Sequence, residues 1–298
     1  MDINWFPGHM AKTRRLISEK IKLVDVVIEI IDARIPVSSR NPLLEELIKN
    51  KPVLMLLNKE DMADKMQTEK WLEFFNNQEN HKALGFSSLA VNKKNQEMLK
   101  AAIMDLSKEK RERWKAKGIK NRAVRCMVIG IPNVGKSTFI NSYVGKKAAR
   151  TGNKPGVTKG QQWIKLSNEI EMLDMPGILW PKFEEQVVGI NLALTGAIKE
   201  EILNKEELMH RALNFLKEYY PQNIKEKYKL SDEELELSLE DLVEVIAVKR
   251  GCLLGGGKID FLRVSSLVLN ELRNGGLGRI TFESFEKEIL LRENNLNK

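Results

Sequence analysis

Lys136 and Ser137 close the stretch Gly130-Ile-Pro-Asn-Val-Gly-Lys-Ser137, whose glycine spacing suits a chain of phosphates. Glycines let backbone N–H groups close around a β-phosphate, and a helix beginning there adds the positive end of its dipole. On this pattern Asn133, Val134, Gly135, Lys136, Ser137 and Thr138 line the phosphates. Lys136 reaches the β- and γ-phosphates and Ser137 ligates Mg2+. Downstream, Asp174-Met-Pro-Gly177 has DxxG form, with Asp174 suited to hold Mg2+ through water and the Gly177 N–H suited to sense a γ-phosphate. Between the two motifs runs a Gly/Thr/Lys-rich loop, Arg150 to Gly160. Its Thr158 is the candidate for a second hydroxyl ligand of Mg2+, and a merely basic loop is the alternative.

A second set of residues suits a base. Asn58-Lys-Glu-Asp61 has the form NKxD. A carboxylate at Asp61 can accept from both N1–H and the 2-amino group of guanine, a donor pair that adenine lacks. Lys59 can lay its aliphatic stem along the base, and Asn58 can tie this loop to the phosphate loop. Ser87-Ser88 follows the next apolar run and can offer a backbone N–H to the guanine oxygen. The expected ligand is therefore GTP or GDP. NKED argues against a P-loop ATPase or small-molecule kinase.

These loops need strand ends to hold them. Apolar, β-rich runs at 24–31, 51–57, 82–86 and 124–129 predict strands, and 162–166 with 170–173 predicts a strand pair. Helical periodicity falls between them at 40–49, 68–76, 96–117 and 136–144. Such alternation predicts an α/β fold, a mostly parallel sheet with helices on both faces. After about Gly196 only helices follow, at 206–219, 232–237, 239–250, 260–273 and 282–292, with Pro221, Gly251 and Gly275–Gly276 as breaks. The expected organisation is a first domain over 1–198, including an N-terminal extension, and a small all-α domain over 199–298.

Composition sets the outer limits. A chain of 298 residues that is 42% hydrophobic can bury a core without staples. Two cysteines and three scattered histidines, with no CxxC or HxxxH spacing, argue against structural zinc. No apolar run approaches the ~18 residues of a membrane helix, and the N-terminus lacks a signal-peptide pattern. A cytoplasmic protein without membrane association is expected. The net charge of +8 leans toward a polyanionic partner without separating DNA, RNA and acidic lipid.

The order of the motifs is NKxD, Ser-Ser, P-loop, Thr, DxxG, whereas ordinary GTPases begin with the P-loop. With WFPGHMAK (Trp5 to Lys12), DARIPVSSRNP (Asp32 to Pro42), GVTKG, DMPGI and RGCLLGGGKID (Arg250 to Asp260), the chain resembles, over nearly its full length, the circularly permuted GTPases of large-subunit assembly. That resemblance implies a permuted P-loop GTPase domain followed by a helical, RNA-binding domain. It also implies a large (50S) ribosomal subunit and its rRNA as partner, and Mg2+ as cofactor. Many GTPases carry a water-orienting Gln after DxxG; here Ile178 stands there, and the resemblance implies His9 as the substitute. In GTPases with this loop pattern an Asn at position 133 is associated with K+ between the phosphates; loop rigidity is the other reading of Asn133. The basic stretch Lys108 to Arg125 around Trp114 reads either as a solvated helix face or as an RNA contact. The expected protein is a monomer that hydrolyses GTP as an assembly factor. The alternative is a nucleotide-gated rRNA-binding module with little intrinsic hydrolysis.

Overall fold

The computed structural model describes residues 8–88, 92–119, 121–144, 163–180, 183, 185–198 and 204–296. The chain divides into two compact units, residues 1–184 with 283–298, and residues 185–282.

The first unit is built on a six-stranded sheet, β1 Val26–Asp32, β2 Val53–Asn58, β3 His81–Phe86, β4 Val124–Ile129, β5 Trp163–Lys165 and β6 Ile170–Asp174. The spatial order is β3-β2-β1-β4-β6-β5. All neighbours run parallel except β5, which turns back on β6. β1 and β2 are buried along their whole length, which explains why they are almost wholly apolar: helices cover both faces, and within β1 only Glu29 and the terminal Asp32 are ionisable. The covering helices are α1 Gly8–Lys20, α2 Pro42–Ile48, α3 Lys65–Asn76, α4 Lys93–Leu106, α5 Lys108–Ala116 and α6 Lys136–Val144.

Successive strands add outward from β1 to β3, and then β4 returns to the other side of β1. In a parallel sheet such a reversal opens a crevice beyond the carboxyl ends of the two strands, where ligands bind. Register makes those ends level: Asp32 pairs with Asn58 and Asn58 with Phe86, while Val128 pairs with Asp174.

Two helical expectations change. The run at 96–117 breaks at Ser107, whose hydroxyl donates back to the Ile103 carbonyl while Arg111 starts a new helix on the Ser107 carbonyl. The N-terminal extension, read from sequence without an element, forms α1.

The regular elements described in the second unit are helices, α7 Gln186–Leu194, α8 Lys205–Tyr219, α9 Pro221–Tyr228, α10 Asp232–Glu236, α11 Leu239–Lys249 and α12 Phe261–Arg273, with an isolated antiparallel bridge between Leu253 and Ile259. Side-chain caps set several starts: Asn204 for α8, a Ser231–Glu234 capping box for α10, Ser238 for α11 and Asp260 for α12. Leu213, Leu216, Ile246, Val264 and Val268 are buried in its core. Pro221, read as a break, also starts α9, where its missing N–H costs nothing.

The domain boundary departs from the expected 198/199. It falls at 184/185, and residues 283–298, with α13 Phe285–Leu296, belong to the first unit. The reason is a set of contacts at the start of that segment. The buried Glu283 carboxylate accepts from the Val37 and Ser38 N–H groups and from the Ser38 hydroxyl. The Trp71 indole donates to the Glu283 carbonyl, and Phe285 packs edge-on against Trp71 at 5.1 Å.

Candidate nucleotide site

The phosphate loop leaves β4 at Gly130 and enters α6 at Lys136. It is held from across the sheet. The Asn58 amide nitrogen, at the end of β2, donates to the Val134 carbonyl at 2.7 Å. The Asn58 amide oxygen accepts from the Ser88 N–H at 3.0 Å and its hydroxyl at 2.9 Å. One buried side chain thus joins the NKxD turn, the Ser87-Ser88 loop and the phosphate loop. The junction explains a glycine: a Cβ on Gly135, which has φ +104°, would stand 2.3 Å from the Asn58 nitrogen.

Asp61 lies on a single 3-10 turn, Glu60–Met62, directly after this junction. It is exposed, and its carboxylate makes no hydrogen bond to the described residues. Lys59 precedes it in a left-handed conformation, φ 63° and ψ 31°, and its ammonium meets the Asp32 carboxylate at 2.8 Å. Asp32 ends β1 and also takes the Arg34 guanidinium at 2.8 Å. Burial alone would raise the Asp32 pKa, but Arg34 and Lys59 together outweigh it and hold the carboxyl well below the usual range. Burial lowers the Lys59 pKa, and Asp32 opposes that.

Lys136 is buried, and its ammonium donates to the loop's own Gly130 and Ile131 carbonyls at 3.1 and 2.6 Å. Burial pushes its pKa down to about 8, against the pull of Asp174. Asp174, at the end of β6, is buried with neither carboxylate oxygen accepting a hydrogen bond of regular geometry. Burial raises its pKa to about 6, opposed by Lys136 and by the neighbouring Ser137 hydroxyl. Orphaned carboxylate oxygens beside a hydroxyl are a donor set that a hard, oxygen-seeking cation such as Mg2+ satisfies, so these residues fit that ion.

Gly177 comes close to the phosphate loop. A Cβ there would lie 2.8 Å from the Pro132 backbone and 2.9 Å from the Lys136 ammonium. The next residue, Ile178, is fully buried. Its N–H reaches the Gly130 carbonyl at 3.4 Å, and its carbonyl accepts from the Asn41 amide at 2.9 Å.

Asn133 is exposed at the tip of the phosphate loop with φ 58°, while Ser137 and Thr138 are half-buried in the first turn of α6. His9 falls in the first turn of α1, and its side chain lies outside the described residues, as does Thr158. The remaining predicted residues come together at the carboxyl ends of β2, β3, β4 and β6. Sequence reasoning assigned no role to Asp32, Arg34, Asn41 and Glu283. A signal existed for the first: Asp32 ends an apolar strand just as Asn58 does, so their loops share one edge.

A permuted order of motifs on a sheet of this topology, with the GxxxxGKS, NKxD and DxxG motifs at one edge, defines a P-loop GTPase. Residues 125–247 match the family model described as a 50S ribosome-binding GTPase. The chain is 51% identical to ribosome biogenesis GTPase A of Bacillus cereus over 96% of this chain and 95% of that one. It is 33% identical to the Thermotoga maritima protein of the same name over 94% of each. The GNP-bound crystal structure of YlqF from T. maritima superposes with a TM-score of 0.62 at 28% identity, covering 91% of this chain and 97% of that one. The chain belongs to the ribosome biogenesis GTPase A family, and it is a GTP hydrolase.

Proposed function

We propose that this GTPase is a late assembly factor of the large ribosomal subunit, binding the immature particle with GTP and Mg2+ and leaving once GTP is hydrolysed to GDP and phosphate. The observation that carries the nucleotide half of this reading is the Asn58 junction, which couples a guanine-reading turn to a phosphate loop through one side chain. The ribosomal half is supported by the names of the relatives and the family model, together with a net charge of +8 suited to an RNA-rich partner.

Phosphoryl transfer to water is mainly positioning and charge stabilisation. In the proposed site Lys136 and the loop N–H groups neutralise the phosphates, Asp61 reads guanine, and Gly177 senses the γ-phosphate. Ser137, Asp174 and Thr158 would hold Mg2+, which when bound neutralises charge on the β- and γ-phosphates. Ile178 has no polar side-chain atom to orient water, so His9, carried near the start of α1, is the proposed water-polarising group. Asn133, exposed in the loop, is the proposed K+ ligand. A cytoplasmic monomer is the form we propose. The helical unit, 185–282, is the proposed rRNA-binding part.

A second reading, a nucleotide-gated rRNA-binding module that rarely hydrolyses, is favoured by one observation: Ile178 is buried and its carbonyl is already engaged by Asn41.

Co-sedimentation tests the proposal. Protein loaded with a non-hydrolysable GTP analogue should pellet with large subunits, and GDP-loaded protein should stay in the supernatant. Equal pelleting in both states, or pelleting with small subunits only, would overturn it.

A further inference from the structure

The most basic segment of the chain, residues 108–125, carries nine Lys or Arg and two Glu, a net of +7 within a chain of +8. It forms α5 and the connection into β4. Beside it lies a cleft of about 420 Å3 within the first unit, lined by Arg111, Trp114, Lys115, Ile119, Arg122 and Glu169 among others. That volume is within the ordinary range for small-molecule sites. The strand β4 begins at the cleft, with Val124 in its lining, and the phosphate loop leaves β4 at the other end. Six residues of strand separate the two by roughly 20 Å. The cleft is therefore distinct from the nucleotide site.

Its charge is arranged rather than diffuse. The Arg122 guanidinium lies over the Trp114 ring at 4.3 Å, leaving a planar cation backed by an aromatic. Arg111 donates from one terminal nitrogen to the Met104 carbonyl at 3.2 Å, while its Nε is buried without a partner. Lys115, one turn along α5 from Arg111, is exposed and makes no ion pair with the described residues. The acidic group of the lining, Glu169, is paired with Lys100. The buried Asp25 takes Lys110, at 2.6 Å, and lies 3.8 Å from Arg122, so it anchors the segment without neutralising Arg111 or Lys115.

From this arrangement we propose that the cleft is a second nucleic-acid site, which takes a single-stranded RNA segment with a splayed nucleotide against Ile119 and the Arg122–Trp114 stack and flanking phosphates on Arg111 and Lys115. Guanidinium planes and aromatics are the groups that stack unpaired bases, and they work with cations that track the backbone. The cations follow one another along α5 and its exit, which suits an extended polyanion better than the compact phosphates of a free nucleotide. The inference deepens the RNA-partner reading and rests on it.

The test uses the full chain with GDP bound and measures anisotropy of a labelled single-stranded RNA dodecamer across a KCl series. Two variants probe the cleft: Lys115→Glu, and Arg111→Gln with Lys115→Gln. Arg122 is left alone because it packs on Trp114. Both variants should bind RNA at least ~10-fold more weakly. In the neutralising double variant the slope of log affinity against log salt should flatten by about 1.4, the value for two lost phosphate contacts on a single strand. GDP affinity should be unchanged. Lys65→Glu on α3, an exposed lysine elsewhere in the unit, should bind RNA as the parent does. Unchanged RNA affinity in both cleft variants would overturn the site. So would inorganic pyrophosphate or an oligoglutamate peptide binding in a Lys115-dependent way while the RNA does not. Free RNA is the probe, so failure to bind large subunits would count against the assembly-factor reading and leave this result standing on its own.

Discussion

The Asn58 amide nitrogen donates to the Val134 carbonyl at 2.7 Å while its oxygen accepts from Ser88. The NKxD turn, the Ser87-Ser88 loop and the phosphate loop therefore share one buried tie. Truncation leaves the Ser88 N–H and the Val134 carbonyl without this partner, at about 1–3 kcal/mol for each buried group left unmade. Asn58→Ala should weaken both GTP and GDP by roughly 10–100-fold. Asn58→Asp keeps the acceptor for Ser88 but sets an anion against the Val134 carbonyl, so it should be no better. Calorimetric titration with GDP checks both; near-parental affinity in Asn58→Ala would show that the loops hold themselves.

Asp61 stands exposed at the turn that follows, its carboxylate making no hydrogen bond to the described residues. Asp61→Asn should lose the paired N1–H and 2-amino contacts and cost GTP at least ~100-fold in affinity. The same amide can donate to the oxygen that xanthine carries where guanine has its 2-amino group, so the ratio of XTP to GTP binding should rise. A competition assay with GTP, XTP and ATP reads this directly. An unaltered GTP preference would remove Asp61 from base reading.

Asp32 pairs with both Arg34 and Lys59 from a buried position, one negative charge against two positive. Asp32→Ala removes the carboxylate that pairs the buried Arg34 and should cost about 3–5 kcal/mol of stability. Denaturant unfolding measures that. The more informative variant is Asp32→Asn, which stays isosteric and keeps one acceptor oxygen where Arg34 now uses two, while removing the charge that holds the Lys59 ammonium. It should lose less stability than Asp32→Ala while still weakening guanine nucleotide binding.

Glu283 is buried against the 37–38 turn, and burial pushes its pKa up to about 7 despite the donors that favour its ionised form. Because the folded-state value lies above the unfolded one of 4.5, folding takes up protons here. The contribution is most favourable below pH 4.5 and is lost as pH rises toward 7. Across that window it should lower stability by up to about 3 kcal/mol. Glu283→Gln should remove this pH-dependent component. Melting temperatures of the parent and Glu283→Gln between pH 5 and 8 provide the comparison; curves that stay parallel would contradict the assignment.

Much of the site could be read in the sequence because its chemistry is local. GIPNVGKS, NKED and DMPG each hold their candidate groups within eight residues, and the fully buried strands write themselves as nearly continuous apolar runs, broken in β1 by Glu29. What escaped was long-range or weakly patterned. α1 buries little beyond Thr13 and Ile17 among the residues whose burial is described, a stripe too thin to stand out among charges. The Ser38–Glu283 contact joins residues 245 apart, and no periodicity announces such a partner, so the C-terminal segment read as one more helix of the bundle. Asn41 binding the Ile178 carbonyl is of the same kind. Ser107 was readable in principle, since a serine inside a helical run can bond back to the carbonyl four residues earlier.

The most direct measurement is GTP turnover in KCl by the protein alone, with large ribosomal subunits and with small subunits, using the parent and His9→Ala. The account predicts slow turnover alone, strong stimulation by large subunits only, and loss of that stimulation in His9→Ala with GTP binding intact. Turnover that neither subunit raises would contradict the assembly-factor account and favour the slowly hydrolysing RNA-binding module.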